Sequence, residues 1–253
     1  MTPHPSPVRL AQQQGIALIV VMVMLLLSTI VVLSGTRLGW LNERMVGSES
    51  DHQRAFAAAE ALIRDAERDI KGLQADATTP CQADPAFIGC RHFMAGAPFF
   101  PQKLADLDLL YARLSPTKMG CLRGICLPAT TTTFGREHWT TKLAAMTAGT
   151  GETAVAARYG EFTGINPAST GNALLQWSRP GVSPAVPARA WYWVEVFLYT
   201  GAGGMPERSS HVLTPDSTQP FVYRITAYVQ GMKPGTRVWL RSVYVPRPAG
   251  DLS

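Results

Sequence analysis

The strongest constraint on this chain is the run IALIVVMVMLLLSTIVVL, Ile16 to Leu33. It has eighteen residues and no charge, and its only polar members are Ser28 and Thr29. A helix needs roughly 17–25 such residues to cross a bilayer, whereas the apolar part of a cleaved secretion signal needs only about 7–15. The SGTRLGW that follows from Ser34 is a poor imitation of a small-x-small cleavage site. A retained membrane anchor is expected.

From Leu41 the sequence reads LNERMVGSESDHQRAFAAAEALIRDAERDIKG. Leu41, Met45, Ser48, His52, Phe56, Ala59, Ile63, Ala66 and Ile70 recur every three or four residues, which defines one helical face. Glu60 precedes Arg64 by four residues, the favourable order for a helical ion pair. No proline occurs between Pro7 and Pro80. The apolar and amphipathic segments therefore read as one helix from Ile16 to about Lys71, ending at Gly72. At 1.5 Å per residue it would be roughly 80 Å long, far more than a bilayer requires.

Strands come late. ARAWYWVEVFLYT (Ala188–Thr200), FVYRITAYVQG (Phe221–Gly231) and TRVWLRSVYVP (Thr236–Pro246) are aromatic and β-branched, with partial alternation. GMKPG suits a hairpin loop between the second and third. The Gly-, Pro- and Ser-rich GAGGMPERSSHVLTPDSTQP separates the first from them. Three antiparallel strands need a cover on one face. The amphipathic half of the helix, with Phe56, Leu62 and Ile63, is the expected cover, which gives an α+β roll. Glycine and proline are frequent in 78–135 and 160–187, which read as loops with short helices such as QKLADLDLLYARL (Gln102–Leu114).

The four cysteines fall as Cys81-x8-Cys90 and Cys121-x4-Cys126. Neither pair has the C-x-x-C spacing of thioredoxin-like redox motifs or zinc sites, and His92 beside Cys90 does not repair the pattern. Outside the cytoplasm, disulfides are the default. Four cysteines allow three connectivities, of which the local one, 81–90 with 121–126, is favoured.

Enzymatic and nucleic-acid readings find little support. His4, His52, His92, His138 and His211 form no metal pattern, and no G-x-S-x-G turn, Walker A loop or dinucleotide fingerprint is visible. Glu137 beside His138 in REHWTTK reads as a surface contact. The net charge of +5 comes from scattered basic residues without a cluster, which argues for a solvated surface and against nucleic acid. Trp191, Tyr192 and Trp193 form an aromatic cluster that could bind a sugar or peptide. A strand burying one face and meeting a partner with the other accounts for it more simply. No cofactor is expected.

A short polar leader, a glycine, then an uncharged apolar run continuing into a long amphipathic helix resembles the class III leader of type IV pilins and pseudopilins. ERMVGSESDHQRAFAAAEALIR (Glu43–Arg64) and YRITAYVQGMKPGTRVWLRSVY (Tyr223–Tyr244) resemble, more narrowly, the PilX family of minor pilins. No resemblance covers Gly72 to Phe221. The likeness implies a minor pilin taking part in initiation and assembly of type IV pili, with residues 1–15 as leader. Residues 16–40 would form the transmembrane and assembly helix, 41–72 its amphipathic continuation, and 73–253 a periplasmic globular domain. A prepilin peptidase would cut after Gly15, leaving Ile16 as an N-methylated mature terminus. The fifth mature position, glutamate in major pilins, is Val20. Pilin leaders usually carry basic residues near the glycine, whereas here AQQQ separates Arg9 from Gly15.

The implied partners are other minor pilins, the major pilin, a tip adhesin, the prepilin peptidase and the inner membrane. Gly35, Gly39, Ala55, Ala57, Ala58, Ala59 and Ala61 would permit close helix approach in the fibre. A K-type pseudopilin of a type II secretion system shares the leader and the missing glutamate but typically carries a larger domain with an inserted helical region. A signal-anchored periplasmic enzyme is the rival from another class, and convergent catalytic groups in a pocket would mark it.

Overall fold

The computed structural model describes residues 14–81, 89–91, 97–128, 139–178, 181, 183–199, 215 and 218–246. His4, His92, Glu137, His138 and His211, residues 1–13 of the expected leader and most of the 201–220 connection lie outside the described residues. The chain divides into two units, Met1–Glu49 and Ser50–Ser253.

Helix α1 (Gln14–Lys71) is continuous over 58 residues and contributes to both units. Its polar interruptions do not break it. Ser28, Thr29, Ser34 and Thr36 each donate a hydroxyl to a carbonyl three or four residues earlier, at 2.8–3.0 Å. Those bonds leave no hydroxyl unpaired on an otherwise apolar stretch. The stop is also local. Gly72 takes φ +66°, its N–H donates to the Asp69 carbonyl, and the Leu73 N–H donates to the Arg68 carbonyl. These are the two closing bonds of a Schellman motif, which needs a residue tolerant of left-handed backbone.

The second unit is built on a five-stranded sheet in the order β1 (Cys121–Leu122), β2 (Ile125–Cys126), β3 (Ala190–Leu198), β4 (Phe221–Gln230), β5 (Arg237–Tyr244). The three long strands pair antiparallel, with Val194 opposite Ile225 and Ala227 opposite Leu240. Side chains of Tyr192, Val194 and Val196 on β3 and of Tyr223, Ile225, Ala227 and Val229 on β4 alternate onto one face. Against that face lie Ala55, Ala58, Ala59, Leu62, Ile63, Ala66 and Ile70 of α1, with Leu107, Leu110 and Leu114 of α2 (Leu104–Leu114) beside them. The expected α+β layering of a long helix on a C-terminal sheet is present.

Three features differ from the sequence reading. The buried face of α1 runs through Ala55, Ala58, Leu62 and Ala66, so Phe56 stays 43% exposed and does not cover the sheet. A row of alanines lets the helix approach the aromatic strands, whereas a phenylalanine in that row would hold it away. Ala55, Ala58 and Ala59 are consequently used up inside the subunit and are not available to a neighbouring helix.

The second difference is the β1–β2 hairpin. Two-residue strands carry no periodicity, so CLRGIC gave no strand signal. Arg123 (φ +49°) and Gly124 (φ +80°) make its two-residue turn, the left-handed pair that matches strand twist in tight hairpins. A Cβ on Gly124 would lie 2.4 Å from that of Ala157, so the turn also depends on close backbone approach. Through Ile125 opposite Val194, β2 joins β3 in parallel, making the sheet mixed.

Third, Trp191, Tyr192 and Trp193 are all buried. Cys121, Cys126, Met146, Val155 and Ala156 pack with Trp191, Trp193 and Tyr228 as a second core on the outer face, where α3 (Trp139–Met146) ends. The aromatic cluster meets its own chain on both sides. It is not a sugar- or partner-binding surface.

Candidate assembly site

In the first unit, every described side chain from Ala17 to Arg37 is exposed. Leu18, Val31 and Leu33 are among the most open, and Val20 is 49% exposed. Gly15 and Ile16 lie in the first turn of α1, with side chains outside the described residues. Among the described residues this is the one helix long and apolar enough to cross a membrane. An apolar surface of this extent is an interaction surface, because soluble monomers rarely leave such areas to water. A Cβ on Gly35 would meet nothing within 4 Å, so packing inside the subunit does not require that glycine.

The second unit holds its α1 segment with buried charge. Asp69 accepts from Arg91 Nε at 2.9 and 3.0 Å, from Arg91 Nη2 at 2.6 Å and from the Tyr192 hydroxyl at 2.9 Å. Arg91 also donates Nη1 to the Arg123 carbonyl at 2.9 Å and lies 3.6 Å over the Phe162 ring. One guanidinium thus ties α1, the β1–β2 turn and the 160s loop together. Burial pushes the Tyr192 hydroxyl well above its ordinary pKa, and the nearby Asp69 carboxylate adds to this.

One turn earlier, Asp65 accepts from Gly160 N at 2.7 Å and from Thr163 Oγ1 at 2.5 Å. Burial nevertheless pushes its carboxyl up to about 7. Glu161, 3.9 Å from Arg123, is also raised by burial, against the pull of Arg158, Arg123 and Arg91. At the far end of this segment Asp51 accepts from Met232 N at 3.0 Å and Lys233 N at 2.9 Å, closing the β4–β5 loop. Burial pushes Asp51 upward, but the Lys233 and Met232 amides outweigh it and hold the carboxyl below its ordinary value.

The structure pairs Cys81 with Cys90 and Cys121 with Cys126, leaving no free thiol. The first bridge holds the segment after α1 next to Arg91, and the second closes the β1–β2 hairpin. A cavity of about 150 Å³ touches Asp69, Lys71, Arg91, Cys81 and Phe162, but Asp69 and Arg91 are bound to each other and the Lys71 ammonium lies over the Tyr244 ring. Among the described residues no group of three His, Cys, Asp or Glu is placed to hold a metal ion. These contacts clamp the fold.

Sequence reasoning missed the buried carboxylates. Their signal was present: Asp51, Asp65 and Asp69 follow the same helical row as Ala55, Ala58 and Leu62. A charge recurring on an apolar face marks a position that needs a buried partner. The partner Arg91, however, lies 22 residues beyond Asp69 in a loop and carries no periodicity.

Residues 14–64 match a family model described as PilX N-terminal. Residues 122–246 match one described as Type IV pilus assembly protein PilX C-term. No curated protein and no solved structure gives a significant match. The first family model follows α1 from its exposed apolar start into the buried row. The second begins within β1 and ends just past β5, so it takes in nearly the whole sheet. The two account for the membrane-length helix and for the sheet that covers its second half, and the chain belongs to the PilX family of type IV pilus assembly proteins.

Proposed function

We propose that this minor pilin is a low-copy subunit that helps to start type IV pilus assembly, with a structural and non-enzymatic role. It is made with residues 1–15 as leader. Prepilin peptidase cuts between Gly15 and Ile16, and the new Ile16 amine is methylated. The apolar half of α1 then holds the subunit in the inner membrane with the second unit in the periplasm. Assembly moves that helix from lipid into the fibre, beside other minor pilins, the major pilin and a tip adhesin.

The observation that carries this reading is the exposure of α1 from Ala17 to Arg37. A surface that buries nothing within its own subunit requires lipid or neighbouring helices to cover it. Exchanging one for the other is nearly neutral in hydrophobic terms, so van der Waals packing and subunit shape decide the transfer. The fixed partners of Asp69 and Arg91 support a structural role for the second unit.

Val20 accounts for the low copy number. In major pilins, a glutamate at the fifth mature position pairs with the terminal amine of a neighbour. A lone carboxylate in the bilayer costs about 2.5–3.5 kcal/mol, so docking relieves that cost. Val20 offers no acceptor, while the Ile16 amine can still donate to a partner's glutamate. Such a subunit initiates or caps and does not add repeatedly. Overexpressed without other pilins, the protein is expected to form no fibres under the electron microscope; long homopolymers would refute the assignment. Val20→Glu should insert normally and enter the fibre at more positions. An unchanged copy number in that variant would mean that the second unit, and not residue 20, sets placement.

A further inference from the structure

The two arginines that follow the apolar run stand on the side of the membrane where the positive-inside tendency does not put them, given the orientation proposed above. Their placement on α1 is specific. Arg37, Trp40 and Arg44 occupy positions i, i+3 and i+7, one stripe of the helix, directly continuing the row of Ile30 and Leu33. Trp40 is 55% exposed, and the Arg44 guanidinium lies 4.0 Å from the centroid of its ring. A cation–π contact at this distance holds the guanidinium beside the indole, and a guanidinium offers five N–H donors in a fork that suits bidentate contact with phosphate. Depth agrees with charge. A hydrocarbon layer of about 30 Å takes about 20 residues, which places its outer edge near Arg37 when the helix enters at Ile16. Trp40 and Arg44 then fall roughly 4–11 Å further along the axis, at headgroup level, where tryptophan is enriched.

We infer that Arg37, Trp40 and Arg44 form a docking stripe for anionic phospholipid headgroups of the periplasmic leaflet, which sets the depth of the subunit before it enters the fibre. The stripe commits to lipid because its apolar continuation, Ile30 and Leu33, is the surface that the bilayer itself covers. Arg37 reaches phosphate from the hydrocarbon edge and Arg44 from the water side, with the indole between them. Each arginine at the surface of an anionic leaflet contributes about 1 kcal/mol, or about fivefold in local lipid preference. The inference rests on the membrane-anchored reading of α1, and the test separates the two.

The full chain is reconstituted in vesicles of phosphatidylethanolamine and phosphatidylglycerol, and resistance to carbonate extraction is scored first. Quenching by brominated phosphatidylglycerol is then compared with quenching by brominated phosphatidylcholine. The fluorescence difference between wild type and Trp40→Phe isolates the signal of Trp40. The expected result is carbonate-resistant insertion with phosphatidylglycerol enriched about fivefold or more around Trp40. In Arg37→Gln/Arg44→Gln, which stays inserted, the preference should fall to near parity. Equal quenching by the two lipids in wild type, or an enrichment that survives the double substitution, overturns the stripe while leaving the anchor intact. Release of the wild-type protein by carbonate overturns both.

Discussion

Replacing Arg91 with alanine is expected to destabilise the second unit by about 3–5 kcal/mol, the usual result of leaving one member of a buried ion pair behind. Asp69 and Arg91 side chains are 2% and 3% exposed, and the Asp69 carboxylate would lose all three of its Arg91 contacts and keep the Tyr192 hydroxyl as a donor. The Arg91 donation to the Arg123 carbonyl, in the turn that holds β2, is lost as well. Against a typical total of about 5–15 kcal/mol, the substitution should shift the urea midpoint severely or prevent folding. The comparison that isolates burial is Arg64→Ala. Arg64 pairs with Glu60 at 3.2 Å, but the two side chains are 64% and 43% exposed. That pair should be worth no more than about 0.5 kcal/mol. Similar losses for Arg64→Ala and Arg91→Ala would contradict the buried clamp. In Asp69→Leu/Arg91→Met, which removes both charges and keeps bulk, much of the loss should return.

The second large effect is a dependence of stability on pH that passes through Asp65. Burial, working against the donations from Thr163 and Gly160, places its folded carboxyl at about 7, above the ordinary 3.8. Between those values the folded state keeps a proton that the unfolded chain has released. Stability from this residue is therefore fully present below about pH 4 and is lost as pH rises toward about 7. A shift of this size corresponds to an effect on the order of 4 kcal/mol. Glu161, raised by the same cause, works in the same direction. Asp51, held below its ordinary value, gives the opposite slope, but only at more acidic pH. Asp65→Asn removes the titration and keeps an oxygen to accept from Gly160. Its melting temperature should fall less than that of wild type between pH 4.5 and pH 8. Parallel curves for the two proteins would show that Asp65 does not hold a proton in the folded state.

Much of the fold was legible because its signals are local. The absence of proline from Val8 to Thr79 and the glycine at 72 gave α1 its continuity and its end. The aromatic and β-branched runs gave β3, β4 and β5 to within a few residues. What escaped depends on partners distant in sequence. The hairpin at Cys121–Cys126 exists because β2 has β3 to pair with, and nothing within CLRGIC announces it. The rotation of α1 that exposes Phe56 is set by the alanine row meeting the sheet, which a repeat of three and four residues does not specify. The same limit applies to the family likeness. The readable matches left Gly72–Phe221 unassigned, whereas the C-terminal family model reaches back to Leu122, where the sheet begins.

The candidate site divides in the same way. The exposed apolar face of α1 is written in consecutive residues, so the stretch was readable from composition alone, whereas Val20 was singled out only by the family resemblance. The clamp at Asp69 and Arg91 was not, since it needs the 160s loop and the β1–β2 turn to come together around one guanidinium.

The most direct test of the central claim is the mass of the mature N-terminus in cells with an active prepilin peptidase. The protein extracted from membranes and from sheared pili should begin at Ile16, carry one methyl group on its amine, and lack residues 1–15. A bulky residue in place of Gly15 should leave the longer form in the membrane and none in the pili. Wild-type protein that still begins at Met1 in such cells, or a terminus generated after Leu33 by signal cleavage, would contradict the account.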